Sequence, residues 1–267
     1  MTKFDPSGKK TSRTLRTVWL SCDILDALWE LNGATVEELS AHLDLSESAI
    51  YNHLTTLKQR ELVASEDDEY RLSLRFVLMG AHALEETPLY VHGNSEIEDL
   101  ADRTGETAHL VTEQHNRRIE LHTVSPDERS ERFRTAYGTT YFHTTASGKA
   151  ILAFVDESRR RSLLDRHRLG RRTANTITDE EELLAELDET RERGFAVNDE
   201  EEMQGLRAVG VPIRSADNTV LGSLSISGPS ARLTGDRFWS GLPEEAMTTA
   251  NMIELNLNKA DGTSDVR

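Results

Sequence analysis

The chain has 267 residues and a net charge of −16, from 47 acidic and 31 basic side chains, and it contains one cysteine. One cysteine excludes intramolecular disulfides and zinc sites built from several thiolates, while the length allows one large or two unequal domains. No apolar run is long enough to span a membrane, and the first ten residues lack the apolar core of a signal peptide, which predicts a soluble, cytoplasmic protein without a membrane partner.

The charge is unevenly distributed. The basic residues comprise six lysines and 25 arginines, a composition that resembles proteins of salt-rich cytoplasm, although an acidic protein of an ordinary cell is the alternative. Residues 1–20 hold five bases and one acid, whereas residues 178–203 hold twelve acids and two arginines. We therefore expect an acidic body with a basic N-terminal arm, in which Lys9, Lys10 and Arg13 contact DNA.

Residues 1–73 predict three helices and a hairpin. Apolar residues recur near every 3.6 positions from Leu20 to Leu31, and Asn32-Gly33 ends this first helix. Cys22 stands within this apolar pattern, so we expect it to be buried. Thr35 with Glu38 forms a capping box that opens a second helix, and Ser46 caps a third. The run "LVASEDDEYRLS" then predicts two short strands around an acidic turn.

Two short helices joined by a tight turn and followed by a hairpin predict a winged helix-turn-helix domain. The third helix would enter the major groove, with its first residues at the base edges. Candidate DNA contacts are Ser46, Ser48, Tyr51, Asn52 and Lys58. The amide of Asn52 suits adenine, and Lys58 suits a phosphate. A winged helix used for protein contacts is the alternative.

The remaining sequence predicts a linker helix over 74–92 and an α+β domain over 93–258. A capping box at Ser95 and Glu98 would open this domain, and Gly105 would end its first helix. Strand-like runs follow at 107–114 and 118–125, and again on both sides of Asp217-Asn218. Helices are expected at 145–155, 157–167, 178–193 and 234–258, and a disordered tail at 259–267. Hairpins with separate helices indicate an antiparallel sheet flanked by helices.

The segment "HTTASGKAIL", residues 143–152, has the small and polar residues that open a helix at an anion site. A nucleotide-binding loop would need glycine at His143 and a hydroxyl at Ala150, so that motif fails. The first amides of a helix carry roughly half a positive charge, which favours an anion beside Ala146 and Ser147. Lys149 could add a second cation or instead extend over apolar surface.

The ordered segments HTTASGKAILA, NTITDEEELLAEL, RERGFAVNDEE, GLRAVGVPI and SLSISGPSARLT, after a winged helix-turn-helix, resemble the IclR family of transcriptional regulators. The resemblance covers about residues 12 to 258, and with the composition it indicates a member from a halophilic archaeon. It implies a homodimer or homotetramer in which a GAF-like domain binds a small organic acid. It also implies that this acid modulates binding to an inverted-repeat operator in double-stranded DNA.

The family resemblance assigns the effector site. The amides of Ala146 and Ser147, next to Thr145, would hold the effector carboxylate. Ser225 and Ser227 match the family's pocket serines, and since they stand two apart on a strand, both hydroxyls should lie on one side. Asn198 and Ala208 occupy positions where relatives often have an acid and a cysteine, so the pocket should be less negative and slightly larger. These two residues complete the predicted site.

A hydrolase acting on a small carboxylate, with Ser147 as nucleophile, is the alternative function. No GxSxG motif is present, and no base or orienting acid can be assigned to Ser147. The nine histidines have no paired helical spacing, so neither a metal site nor a cofactor is predicted. We therefore expect a regulator rather than an enzyme.

Overall fold

The computed structural model describes residues 14–126, 141–165 and 169–264. The chain divides into two compact units, residues 1–83 and 84–267. The basic arm with Lys9, Lys10 and Arg13 lies outside the described residues. None of the helices in the described ranges combines the length and apolar composition needed to cross a membrane.

The first unit has the predicted three helices and hairpin. Its elements are α1 (Arg16–Glu30), α2 (Val36–Leu43), α3 (Glu47–Gln59), β1 (Val63–Glu66), β2 (Glu69–Leu72) and α4 (Arg75–Glu85), which runs across the boundary between the units. Strands β1 and β2 pair antiparallel, with the turn at Asp67 and Asp68. The winged helix-turn-helix prediction is confirmed.

Local side-chain chemistry sets the helix boundaries of this unit. The backbone amide of Thr35 donates to Glu38 at 2.8 Å, and the amide of Glu38 donates back to the Thr35 hydroxyl at 3.3 Å, which completes the predicted capping box. The Ser46 hydroxyl accepts from the amide of Ala49 at 3.3 Å and so caps α3. Gly33 follows α1 with φ +104°, a conformation that favours glycine.

The prediction that Cys22 is buried is wrong. The cysteine is exposed, whereas Ile24, Ala27 and Leu28 form the buried face of α1. Because successive helical residues are about 100° apart, position 22 lies roughly 200° around the helix from position 24. Cys22 therefore belongs to the opposite face of α1.

The second unit contains a five-stranded sheet and helices. Its elements are α5 (Pro88–Thr104), β3 (Thr107–Gln114), β4 (Arg117–Val124), α6 (Ala146–Phe154), α7 (Glu157–Asp165), α8 (Glu180–Arg193), β5 (Ala196–Asp199), β6 (Leu206–Arg214), β7 (Val220–Pro229) and α9 (Leu242–Ser264). A 3-10 turn precedes α6 at Phe142–Thr144, and a π-helical turn precedes α9 at Arg237–Gly241. The predicted α+β class is confirmed.

The sheet is antiparallel throughout, in the order β4-β3-β7-β6-β5. Helices α5 and α9 pack on one face, where Val209, Val211 and Ile213 from alternate positions of β6 join the larger hydrophobic core. Helix α6 packs against β6 and β7 and also contacts α8. Ala208 and Gly210, which alternate with these residues along β6, are therefore on the face that α6 covers.

Two predicted boundaries in this unit are wrong. The helix α5 begins at Pro88 rather than at Ser95, because proline is favoured in the first helical turn, so Ser95 lies inside the helix and caps nothing. At the other end, α9 continues to Ser264, so residues 259–264 of the predicted disordered tail are helical. Lys259 and Ala260 favour helix and extend it beyond the predicted end.

Candidate functional site

The third helix of the winged unit presents a polar face. Ile50, Leu54 and Leu57 of α3 are buried against the rest of the unit, while Ser48, Tyr51 and Asn52 are exposed. Tyr51 has 57% of its surface exposed. The residues predicted to contact bases therefore lie together on the side of α3 away from the core.

The other two predicted contacts on this helix already have partners. The Ser46 hydroxyl serves as the cap of α3, so its side chain is committed to the helix start. The ammonium group of Lys58 donates to the hydroxyl of Ser65 on β1 at 2.6 Å. This bond ties the end of α3 to the wing and leaves Lys58 exposed beside it.

A polar cavity lies in the second unit, between the sheet and the start of α6. All seven residues of the predicted effector site line it, together with four that the sequence did not suggest. The lining is His109, Arg118, Thr145, Ala146, Ser147, Asn198, Glu202, Leu206, Ala208, Ser225 and Ser227. Eight of these eleven side chains are polar, so the cavity suits a polar ligand rather than an apolar one.

The strand register brings the floor of the cavity together. The floor contains residues from two rows of cross-strand neighbours. One row is Asn198, Ala208 and Ser227, and the other is Gly210, Ser225 and His109, of which Ser225 and His109 line the cavity. Because side chains alternate along a strand, both serines lie on the face that α6 covers. The hydroxyl of Ser223, two positions earlier, donates to the carbonyl of Ser147 at 3.0 Å and fixes α6 to this face.

The start of α6 forms the opposite wall. The Thr145 hydroxyl accepts from the amide of Gly148 at 3.0 Å, so the third amide of the helix is satisfied by its cap. The amides of Ala146 and Ser147 come first in the helix and have no intrahelical acceptor. A Cβ on Gly210 would lie 2.5 Å from the carbonyl oxygen of Ala146, so glycine is required for the strand to approach the helix start.

Arg118 supplies a buried cation at this wall. Its side chain is 8% exposed, and its Nε donates to the Ser147 hydroxyl at 3.0 Å. A second atom of the guanidinium lies 3.4 Å from the carboxylate of Glu120. Arg118 and the start of α6 thus bring hydrogen-bond donors to the lining of the same cavity, which is an arrangement that suits a carboxylate.

His109 lies between Ser227 and Glu120. Its Nε2 lies 2.9 Å from the hydroxyl of Ser227, and its Nδ1 lies 3.1 Å from the hydroxyl of Thr123 and 3.6 Å from Glu120. Burial raises the pKa of Glu120, but the nearby His109 and Arg118 and the hydrogen bond from the Thr123 hydroxyl outweigh it and hold this pKa well below its usual range. Glu120 is therefore an anion beside the cavity.

Glu202 is an acid at the cavity that belongs in sequence to the acidic run over 178–203. Burial raises the pKa of Glu202, while the positive charges of Arg118, His109 and Arg172 act in the opposite direction. Its Oε1 is buried and has no hydrogen-bond partner among the residues that the structure describes. Glu202 therefore brings an unsatisfied acceptor to the cavity.

Lys149 neither lines the cavity nor extends over the surface. Its ammonium group is buried, with 1% of the side chain exposed, and lies 2.7 Å from Glu201 and 3.3 Å from Glu186. Glu186 also accepts from Arg193 at 2.7 Å. Neither predicted position of Lys149 is therefore correct. From the first turn of α6, its side chain extends to Glu186 of α8 and to Glu201 in the segment after β5.

Metal-binding geometry is missing from the described part of the chain, where no group of three His, Cys, Asp or Glu side chains is placed to share an ion. A Ser227–His109 pair is present, but the nearest partner of its second nitrogen is a threonine hydroxyl rather than a carboxylate. This partner differs from the carboxylate that orients the histidine of a serine hydrolase.

Comparison with known proteins identifies relatives along almost the whole chain. Residues 81–255 match the family described as "Bacterial transcriptional regulator IclR C-terminal", and residues 22–65 match "Bacterial regulatory protein, arsR family". The probable HTH-type transcriptional regulator ArcR of Halobacterium salinarum is 36% identical over 96% of this chain and 100% of its own length. The regulator KdgR of Escherichia coli is 32% identical over 80% of this chain and 82% of its own.

Solved structures have the same fold. An IclR-type regulator from Alicyclobacillus acidocaldarius matches with a TM-score of 0.78 and 27% identity over 92% of this chain and 100% of its own. An IclR homologue from Microbacterium hydrocarbonoxydans, complexed with 4-hydroxybenzoate, matches with a TM-score of 0.71 and 22% identity over 84% of this chain and 91% of its own.

Proposed function

Because the chain belongs to the IclR family of transcriptional regulators, we propose that a small organic acid in the cavity of its second unit controls its binding to an operator. The observation that carries this proposal is that the start of α6, at Ala146 and Ser147, and the side chain of Arg118 line the same cavity. The protein would act in the cytoplasm on double-stranded DNA.

A carboxylate fits this wall better than a neutral ligand. The helix start and Arg118 both favour negative charge, and hydrogen bonds to charged groups are about twice as strong as neutral ones. The Ser225 hydroxyl and the side-chain amide of Asn198 offer further polar contacts. The oxygen of the Asn198 amide already accepts from the backbone amide of Glu201 at 2.8 Å. One solved relative holds 4-hydroxybenzoate, which is a carboxylate of the class proposed here.

The winged unit would read the operator through α3. Ser48, Tyr51 and Asn52 are exposed on one face of this helix, with Asn52 suited to adenine. The N-terminal bases Lys9, Lys10 and Arg13, and Lys58 at the wing, would contact phosphates. A homodimer or homotetramer would present paired α3 helices to half-sites about 34 Å apart or a multiple of that distance. Because such a pair is related by two-fold symmetry, the operator would be an inverted repeat.

The effector would act by changing the relative placement of paired recognition helices through the segment over 74–92. Its influence on DNA affinity equals the difference between its affinities for the two arrangements, typically about 1–3 kcal/mol. This range corresponds to a change in operator affinity of roughly 5- to 150-fold.

Calorimetric titration of the full chain with C2 to C6 carboxylic acids tests the ligand class. We expect at least one acid to bind, and Arg118→Met to weaken it by about tenfold or more, because the substitution removes a buried charge-assisted donor. Arg117→Met is the matched control, since Arg117 is the exposed neighbour on the same strand. Equal binding by both variants, or no acid bound by the parent chain, would contradict the proposal.

We also propose that the cavity performs no catalysis. The Ser227–His109 pair is the one feature in its lining that favours a hydrolase, but Nδ1 of His109 is 3.6 Å from Glu120, beyond good hydrogen-bond distance. Hydrolysis of p-nitrophenyl acetate by the parent chain should equal that by Ser227→Ala. A Ser227-dependent rate would instead favour the enzyme.

A further inference from the structure

The unsatisfied acceptor at Glu202 carries information about the ligand. Its Oε1 is removed from water and unpaired within the described ranges of the chain, although the residue lines the cavity. An acceptor left in this state is unfavourable, so a ligand that donates a hydrogen bond to it recovers free energy that a ligand without a donor does not. The position of Glu202 therefore favours a ligand with a donor.

Several other acceptors at the cavity are already engaged. The amide oxygen of Asn198 accepts from the backbone amide of Glu201, and the hydroxyl of Ser227 is bonded to His109. The Ser147 hydroxyl accepts from Arg118. Among these groups, Glu202 is the one with an acceptor that no bond of the described residues occupies.

We propose that Glu202 determines effector specificity by accepting a hydrogen bond from a hydroxyl group of the ligand, so that the effector is a hydroxycarboxylic acid. This inference rests on the proposed function, since it assumes that the Ala146 and Ser147 amides with Arg118 hold the carboxylate. The two contacts would fix both ends of a short ligand, the anion at the helix start and the hydroxyl at Glu202.

A hydroxyl suits this position better than an ammonium group. Arg118, His109 and Arg172 act on Glu202 as positive charges and Glu120 acts on it as a negative one, so a further cation would enter a region where three positive neighbours already oppose one negative neighbour. Burial, which raises the pKa of Glu202, also favours its neutral form. A hydroxyl bonds to either form of the carboxyl, whereas an ammonium group needs the ionised one.

Matched acids test this proposal by calorimetric titration of the full chain. The probes are acetate, glycolate and glycine, then propionate, 3-hydroxypropionate and β-alanine, then butyrate, 4-hydroxybutyrate and 4-aminobutyrate. Each trio keeps the carboxylate and changes one substituent, and the three lengths vary the distance between them. We expect the hydroxy acid of at least one trio to bind about tenfold or more tightly than its unsubstituted partner.

Three variants connect any preference to the carboxyl of Glu202. Glu202→Met keeps a similar length without a strong acceptor and should reduce the preference to less than threefold. Glu202→Gln retains an acceptor oxygen and should keep most of the preference. Glu181→Met, the same replacement at an exposed acid of α8, should leave the preference unchanged.

The outcomes separate this inference from the proposed function. Acids that bind without a hydroxyl preference, a preference that survives Glu202→Met, or a Glu202-dependent preference for the amino acids would each overturn the inference while the carboxylate site stands. Failure of every acid to bind would overturn both.

Discussion

Lys149→Met should be among the most destabilising single substitutions in the second unit. The ammonium group is 1% exposed and satisfies Glu201 at 2.7 Å and Glu186 at 3.3 Å. Glu186 retains Arg193, but Glu201 would keep only the amide of Asp199, at 3.4 Å, among the bonds of the described residues, and its Oε2 already has no partner there. The substitution therefore leaves a buried carboxylate almost unpaired.

Breaking a buried ion pair costs about 3–5 kcal/mol. Burial raises the pKa of Glu201 against the opposing charge of Lys149, so protonation of the abandoned carboxyl relieves part of this cost and favours the lower end, about 3 kcal/mol. For a unit of this size, 1 kcal/mol shifts Tm by roughly 2–4 °C, so we expect a fall of about 6–12 °C. Because the pair is buried, the fall should persist in molar KCl.

Thermal unfolding followed by circular dichroism measures this effect. The double variant Lys149→Met with Glu201→Leu replaces both charges with apolar groups and should recover most of the loss, since a buried pair contributes little net stability over such a replacement. A Tm of the single variant within about 2 °C of the parent would show that the ion pair is not needed to satisfy Glu201. A double variant no more stable than the single one would show that the abandoned charge is not the cause of the loss.

Further predictions concern both units. Gly210→Ala would bring a methyl group to 2.5 Å from the Ala146 carbonyl oxygen, which should cost about 1–3 kcal/mol in urea unfolding and weaken acid binding. The control Gly80→Ala, where an added methyl meets no described atom within 4 Å, should be neutral or stabilising, and equal losses would contradict the packing argument. Asn52→Ala should cost about 1–3 kcal/mol of operator affinity and relax discrimination at one base pair in mobility-shift assays, whereas a uniform loss over all operator variants would contradict a base contact. The raised pKa of Glu202 means that the folded chain holds this proton more tightly than the unfolded one, so the associated stability is present below the ordinary carboxyl pKa and is lost as the pH rises through the raised value. Glu202→Gln should therefore gain Tm relative to the parent from pH 4 to pH 8, and a constant difference would exclude that shift.

Local chemistry made much of the fold predictable. The capping box at Thr35 and Glu38 is formed as the sequence indicates, because both partners are three residues apart. The alternation of Ser225 and Ser227 likewise places both in the cavity lining, since the period of a strand is two. Predictions of this kind depend on neighbours in sequence and need no tertiary information.

The rest of the cavity depends on contacts between distant segments. Arg118 is one of 25 arginines, and it reaches Ser147 because β4 pairs with β3 at the edge of the sheet. His109 lies beside Ser225 because β3 pairs with β7. This neighbour relation could be predicted only if the order of the strands in the sheet were known. Glu202 stands in a run rich in acids, where composition indicates a solvated surface, and only tertiary packing distinguishes it from the exposed acids of α8 in the same run.

Effector-controlled operator binding is best tested by a pull-down of genomic DNA fragments with the purified full chain in molar KCl, with and without each small carboxylic acid, followed by sequencing. We expect enrichment of an inverted repeat whose recovery changes when one acid is present. We also expect that Arg118→Met retains the repeat but loses the response to that acid. Enrichment that no acid alters, or no enrichment under any condition, would contradict effector-controlled operator binding.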